Sequence, residues 1–335
     1  MMKVNHKALI VAGLCASMAF GMVGCGSDDV LDAGKTVATV GEKEMTLGEA
    51  NFFLRYQQVQ TEYYYESMLG EGIYDMDLYG DGSTYGENLK ADVLAQLQEY
   101  YILEEKAAEY GVELTEDEKA AITAAATAFI EENDATVEEQ MTADQATVER
   151  VLSLMTIGTK MVGKIAVEAD VTISEEEAAQ RGFSYISVSK GTGEEALSDE
   201  EIQATKDKLM ASAASAASGN TLDAAAVEQG FSAYSGSYGW NYTSSYPEAV
   251  INALDEMAEG DVSDIIETDT ELYLLQLTDE LDVEATESRM NSLIATAQTE
   301  YYSEVMAAWV EEYPLTVDEA VWADVKFNRS YDIIE

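Results

Sequence analysis

The 335-residue sequence predicts an α+β protein, with helical segments toward both ends of the chain and a smaller α+β domain between them. Apolar residues recur at helical spacing from about residue 47 to 170 and again over Glu284–Glu311. Alternation of period two replaces that pattern at Phe183–Val188 and Leu272–Leu277. Strand-like pieces stand near both ends, at Val37–Met45 and Ala320–Phe327, where they could pair. These shifts divide the chain into segments 1–24, 25–36, 37–170, 171–281 and 284–335.

Along the chain, Val37–Met45 reads as two short strands about Gly41. Thr46 is a candidate N-cap with Glu49 at the capping-box distance. The helix it starts carries Phe52, Phe53, Tyr56, Val59, Tyr63 and Met68 and is expected to reach Leu69. A Gly, Asp and Tyr-rich loop over 70–86 follows, then a helix from Glu87 to near Gly111. Thr115 opens a third helix over Ala120–Glu132, and a fourth runs from about Thr142 to Ile165. Beyond Val171 the expected order is the strand Phe183–Val188, an Ala-rich helix Asp199–Ala217, a short helix Leu222–Gln229 and a turn region Ser235–Trp240. A helix Pro247–Met257 and paired strands Val262–Ile266 and Leu272–Leu277 complete it. Pro314 stops the last helix.

Met1–Cys25 has the form of a secretory leader. Lys3 and Lys7 precede the apolar stretch Ala8–Val23, which is followed by Gly24-Cys25 and a polar run. It resembles a lipoprotein signal, which implies lipidation of Cys25 and an extracytoplasmic protein anchored to the outer face of the cell membrane. The sole histidine, His6, and the only other cysteine, Cys15, would leave with the leader. A remainder of about 310 residues must then be held together by its core, without disulfides, imidazole catalysis or thiol catalysis. The charge is strongly one-sided, with 18 Lys+Arg against 65 Asp+Glu and a net −47. Such a chain is a poor partner for nucleic acid or an anionic bilayer surface.

Two stretches resemble a parvulin-type peptidyl-prolyl isomerase domain. Phe183–Val188 matches the family's first strand. Met257-Ala258-Glu259-Gly260-Asp261-Val262-Ser263, followed by Leu272-Tyr273-Leu274-Leu275-Gln276-Leu277, matches its closing motifs. Ser235-Gly236-Ser237-Tyr238-Gly239-Trp240 resembles the family's glycine-tryptophan segment. The flanks Val37–Leu54, Gly86–Glu132 and Glu284–Phe327 resemble the helical chaperone domain of PrsA and SurA-type secreted foldases. The resemblance implies a chaperone unit from 37–170 and 284–335 around a parvulin-like domain at 171–281. Parvulins carry two facing histidines, and the resemblance places Tyr185 and Tyr273 at those positions. It also implies a client groove at Trp240, Tyr246, Leu254 and Met257.

The expected partners are unfolded or newly secreted polypeptides, and the membrane through the lipid on Cys25. No nucleic acid, small-molecule cofactor or metal is expected. An active isomerase and, further off, a solute-binding lipoprotein are the alternatives. The tyrosines Tyr63, Tyr64, Tyr65, Tyr74, Tyr79, Tyr85, Tyr100 and Tyr101 are either a client-contacting surface or packing. Asp75–Asp81 starts like a calcium loop but has Tyr79 and Gly86 where ligands are needed, so an acidic loop is the better reading.

Overall fold

The computed structural model describes residues 19–23, 31–69, 72–133, 135–193, 196–239, 246–327 and 330–334. Its contacts divide the chain into two units, Met1–Ala169 with Thr299–Glu335, and Asp170–Gln298.

In the first unit, β1 (Ala19–Val23) precedes β2 (Thr36–Val40) and β3 (Lys43–Thr46), which are joined at Gly41 with φ +57°. Thr46 and Glu49 form the reciprocal cap expected of them. The Glu49 carboxylate accepts from the Thr46 amide at 2.7 Å, and Thr46 Oγ1 accepts from the Glu49 amide at 3.2 Å. Helix α1 (Leu47–Leu69) follows, then α2 (Tyr85–Lys106), α3 (Glu116–Glu132), α4 (Ala135–Met141) and α5 (Gln145–Glu168). Helix α2 starts two residues before the predicted Glu87 because Thr84 and Glu87 form a capping box. The predicted helix from Thr142 is α5, which starts three residues later, and the short α4 before it has no counterpart in the sequence reading. Thr142 itself has φ +52° and separates α4 from α5, whose cap is Asp144. Phe53, Leu54, Leu97, Ile102, Leu103, Leu154 and Met161 fill the core between these helices.

In the second unit, α6 (Glu175–Ala178) leads into β4 (Gln180–Ser189), α7 (Asp199–Ala217), α8 (Leu222–Glu228) and β5 (Tyr234–Gly239). Then come α9 (Glu248–Glu256), β6 (Ile266–Glu267) and β7 (Glu271–Asp279). The predicted turn at Ser235–Trp240 is therefore a strand over its described part. The predicted strand Val262–Ile266 shrinks to an isolated bridge, Val262 with Gln276, and the start of the two-residue β6.

The unit boundary falls inside α10 (Val283–Glu312), beyond which the chain returns to the first unit as β8 (Leu315–Val317), α11 (Glu319–Trp322) and β9 (Ser330–Ile334). The strand that pairs with β2 is β8, with Leu315 opposite Val40, and not the predicted Ala320–Phe327. Asp318 caps α11 instead, and Trp322 and Val325 are buried. Cations hold the carbonyls at this helix end. Lys90 Nζ donates to Trp322 O at 2.6 Å and Val325 O at 3.0 Å, and Arg55 Nη2 donates to Lys326 O at 2.8 Å. Burial first, then the Lys326 and Arg55 charges, lower the Lys90 pKa to about 8. β9 pairs with β1, Ala19 opposite Ile334, inside the segment that the leader reading removes.

One ion cluster ties the helices together. Arg150 on α5 grips Glu104 on α2 with both terminal nitrogens, one bond at 2.9 Å, and its Nε donates to Glu49 on α1 at 3.1 Å. Tyr101 donates to the other Glu49 oxygen at 2.9 Å. Burial works against ionising Glu104, but Arg150 and Lys43 outweigh it and hold its carboxyl below the ordinary value. A depressed carboxyl stabilises the fold above its unfolded-state pKa, and that contribution falls away as pH drops through the folded-state value. Arg150→Met is expected to cost about 2–3 kcal/mol, between the exposed and buried limits. Urea titrations should show this gap at pH 7 and a smaller one below about pH 4.

Candidate functional site

The second unit is organised about a four-stranded sheet of order β5-β4-β7-β6. Tyr185 lies opposite Leu275 on one side and Tyr234 on the other, and Ser187 lies opposite Tyr273. Residues paired across antiparallel strands share a face, and alternate residues change face. Phe183, Tyr185, Tyr234, Tyr238, Tyr273, Leu275 and Leu277 therefore share one face. Ile186, Leu272 and Leu274 occupy the other, packed on Leu209 and Ala216 of α7 and Leu222 and Ala225 of α8. On the aromatic face Val250 and Leu254 of α9 close part of the core.

Tyr185 sits at the middle of an aromatic cluster. Its ring is 5.7 Å from Tyr246 at 77°, 5.7 Å from Tyr234 and 5.6 Å from Phe183. Tyr246 meets Phe183 edge-on at 5.0 Å, and its hydroxyl is hydrogen-bonded to Tyr185. Burial, then Tyr185, raises the Tyr246 pKa. Tyr273, 6 % exposed, donates its hydroxyl to Glu271. Burial, then the bond to Glu271 and that residue's charge, push the Tyr273 hydroxyl well above its ordinary value. Tyr246 and Tyr273 are therefore held protonated near pH 7.

A second network fixes the end of α9. Arg181 Nη1 donates to Tyr238 Oη at 3.1 Å and Leu254 O at 2.8 Å, and its Nη2 donates to Met257 O at 2.6 Å. Tyr238 in turn donates to Asp255 at 3.0 Å. Burial and Asp255 raise the Tyr238 hydroxyl to about 12 against the opposing pull of Arg181.

Residues 189–287 match the family model described as the PPIC-type PPIase domain. Over those residues the chain is similar to a parvulin-type domain. No curated protein matches the sequence. Among solved structures, the foldase PrsA of Streptococcus pneumoniae is 16 % identical at a TM-score of 0.33, covering 76 % of this chain and 98 % of its own. A PrsA peptidylprolyl isomerase of Bacillus cereus is 13 % identical at 0.31, over 88 % and 98 %. A structure from a study of SurA-like chaperones of Campylobacter jejuni is 11 % identical at 0.29, over 84 % and 98 %.

In the second unit, Tyr185, which precedes the matched residues, and Tyr273, which lies among them, occupy adjacent strands on one face, and Tyr246, Leu254 and Met257 join the same cluster. Leu254 is fully buried and forms core, whereas Tyr246 and Met257 are partly exposed. Trp240 and Cys25 lie outside the described residues. Sequence reasoning missed Tyr234, Arg181 and Glu271 as parts of the site. The alternation Tyr234-x-Gly236-x-Tyr238 was the available signal for the first, masked by glycines that read as a turn. In the other unit, Tyr74 and Tyr101 are buried, Tyr85 and Tyr100 are half-buried and Tyr79 is 67 % exposed, so packing accounts for most of the described tyrosine rings. Asp77 spends its carboxylate on the Gly80 and Gly82 amides at 2.6 and 3.1 Å.

Gly236 makes room for the cluster. A Cβ there would lie 2.4 Å from the Tyr246 hydroxyl and 2.8 Å from the Phe183 ring. Gly236→Ala is expected to destabilise the domain by about 1–3 kcal/mol. Urea denaturation should show a smaller penalty in a Tyr246→Phe background, where the nearest clashing atom is gone.

Proposed function

We propose that this chain is an extracytoplasmic chaperone, tethered to the membrane by a lipid on Cys25, that holds unfolded polypeptides and engages them on the aromatic face of its parvulin-type domain. The observation that carries this reading is the pair Tyr185 and Tyr273, tyrosines where the resemblance places histidines, on one aromatic face of a unit whose residues 189–287 match the isomerase family. The rings of Tyr185, Tyr234 and Tyr246 supply aromatic walls of the kind that receive a proline or another apolar side chain. In this reading the helical unit, from 37–170 and 284–335, does the holding. The net charge of −47 directs it toward neutral or basic segments.

A second reading, a working isomerase, is favoured by the hydrogen bond between Tyr185 and Tyr246. Prolyl isomerisation breaks no covalent bond, so a site that desolvates and twists the amide can accelerate it with donors alone.

The deciding experiment is refolding of a protein whose slow phase is a trans-to-cis proline step. The holding reading expects suppressed aggregation and an unchanged slow phase when the chain is far below its substrate in concentration. Acceleration that is lost on Tyr185→Phe or Tyr273→Phe would establish the isomerase instead. Anchoring has its own readout: fatty-acid labelling and membrane association are expected in the native chain and lost in Cys25→Ser.

A further inference from the structure

We propose that β5 is a docking edge, to which an extended, neutral-to-basic stretch of polypeptide adds as a fifth strand. This inference rests on the polypeptide-binding reading given above and names where and how the segment binds.

The two edges of the sheet are built differently. β6 is two residues long, and its Glu267 is held by Lys190 at 3.2 Å and Lys206 at 2.5 Å. Short length and charge are devices that keep an edge from pairing. β5 has neither. It is six residues long and reads Tyr-Ser-Gly-Ser-Tyr-Gly, without a charge or a proline. Its register against β4 runs unbroken from Gln180 opposite Gly239 to Tyr185 opposite Tyr234. Among the described residues β4 is its only partner strand. An edge strand turns alternate N–H and C=O groups away from its partner, and another extended backbone matches them in spacing.

Side chains on either face define the occupant. On the aromatic face Tyr234 is 54 % exposed with its ring against Tyr185, a shelf for an apolar side chain of the added strand. On the opposite face Ser235 and Ser237 are exposed, and Ser237 pairs with Gly182. The carboxylates of Asp279 and Asp282 lie 2.9 and 3.2 Å from where a Gly182 Cβ would be. An added strand would run about 10 Å from Gly182, two strand spacings away, within the span of a lysine or arginine side chain reaching back. The edge thus offers backbone pairing, an aromatic shelf and acid, which fits an extended segment of alternating apolar and basic residues.

The test uses the full chain and a fluorescent, unstructured peptide of alternating valine and lysine. A second peptide of the same sequence is methylated on every backbone nitrogen, which keeps its charge and side chains but removes its donors. Anisotropy is expected to show binding of the first and about tenfold or greater weakening for the second. Amide exchange is expected to slow across residues 234–239 when the first peptide binds. Equal affinity for the two peptides, or protection confined to other elements, would overturn the docking edge while leaving polypeptide binding intact. No binding of either peptide would overturn both readings. Protection of 234–239 without peptide, rising with protein concentration, would assign the edge to a second copy of the chain.

Discussion

The ladder between β4 and β7 decides what the second unit presents. With Tyr185 opposite Leu275 and Ser187 opposite Tyr273, both tyrosines face α9, while Ile186, Leu272 and Leu274 face α7 and α8. A one-residue slip of β4 would exchange its faces, putting Tyr185 under α7 and α8 and Ile186 among the aromatic rings. The start of β4 is pinned against such a slip. The Gln180 amide donates to Thr286 Oγ1 at 3.0 Å, its carbonyl accepts from the Asp282 amide at 2.8 Å, and a register shift sits between Gly182 and Phe183. Arg181, next in line, ties the same strand to the last turn of α9 through Leu254 O and Met257 O. Sheet register and helix position are thereby fixed by one stretch of three residues.

The sequence was most legible where local chemistry alone sets the structure. Thr46 with Glu49, Thr115 with Glu118 and Ser198 with Glu201 each close reciprocal hydrogen bonds within four residues, so their helix starts can be read without tertiary knowledge. Legibility failed where a distant partner decides. Ser235–Gly239 has the composition of a turn, and it is a strand because Ser184 and Phe183 supply its ladder and because Tyr246 and Phe183 fill the space that Gly236 leaves. Ala320–Phe327 alternates like a strand. Asp318 nevertheless caps a helix there, and the carbonyls at its end are met by Lys90 and Arg55 from more than 200 residues earlier in the chain. On the aromatic face, Tyr185 and Tyr273 were singled out through resemblance. Glu271 escaped because one acid among so many carries little signal, and Arg181 because its partners Tyr238, Leu254 and Met257 lie more than 50 residues away in the chain.

Cations are scarce, 18 against 65 acids, and the fold commits several of them to its interior contacts. Arg150 bridges Glu49 and Glu104, while Arg55, Lys90 and Arg181 are used on backbone carbonyls at helix ends or in the tail. A positive group beside the carbonyl end of a helix is favoured by the helix dipole. Positive charge is thus placed where it organises the fold, and the acids dominate what solvent meets. Mutual repulsion among those acids favours solubility and opposes self-association.

The pairing of β8 with β2 joins residues near opposite ends of the chain, Val40 with Leu315 and Ala38 with Val317. Contacts so far apart in sequence form late, because a long loop must close before they contribute. A ribosome or a translocation channel releases this chain from its N-terminus, so β2 and β3 emerge with one side of their sheet open. They stay that way until almost the whole chain has followed. The Asp170–Gln298 unit has all of its sheet strands available before α10 is finished. Order of synthesis therefore favours the inserted unit maturing first, and the unit that encloses both ends remains itself an unfinished polypeptide until its last strand arrives.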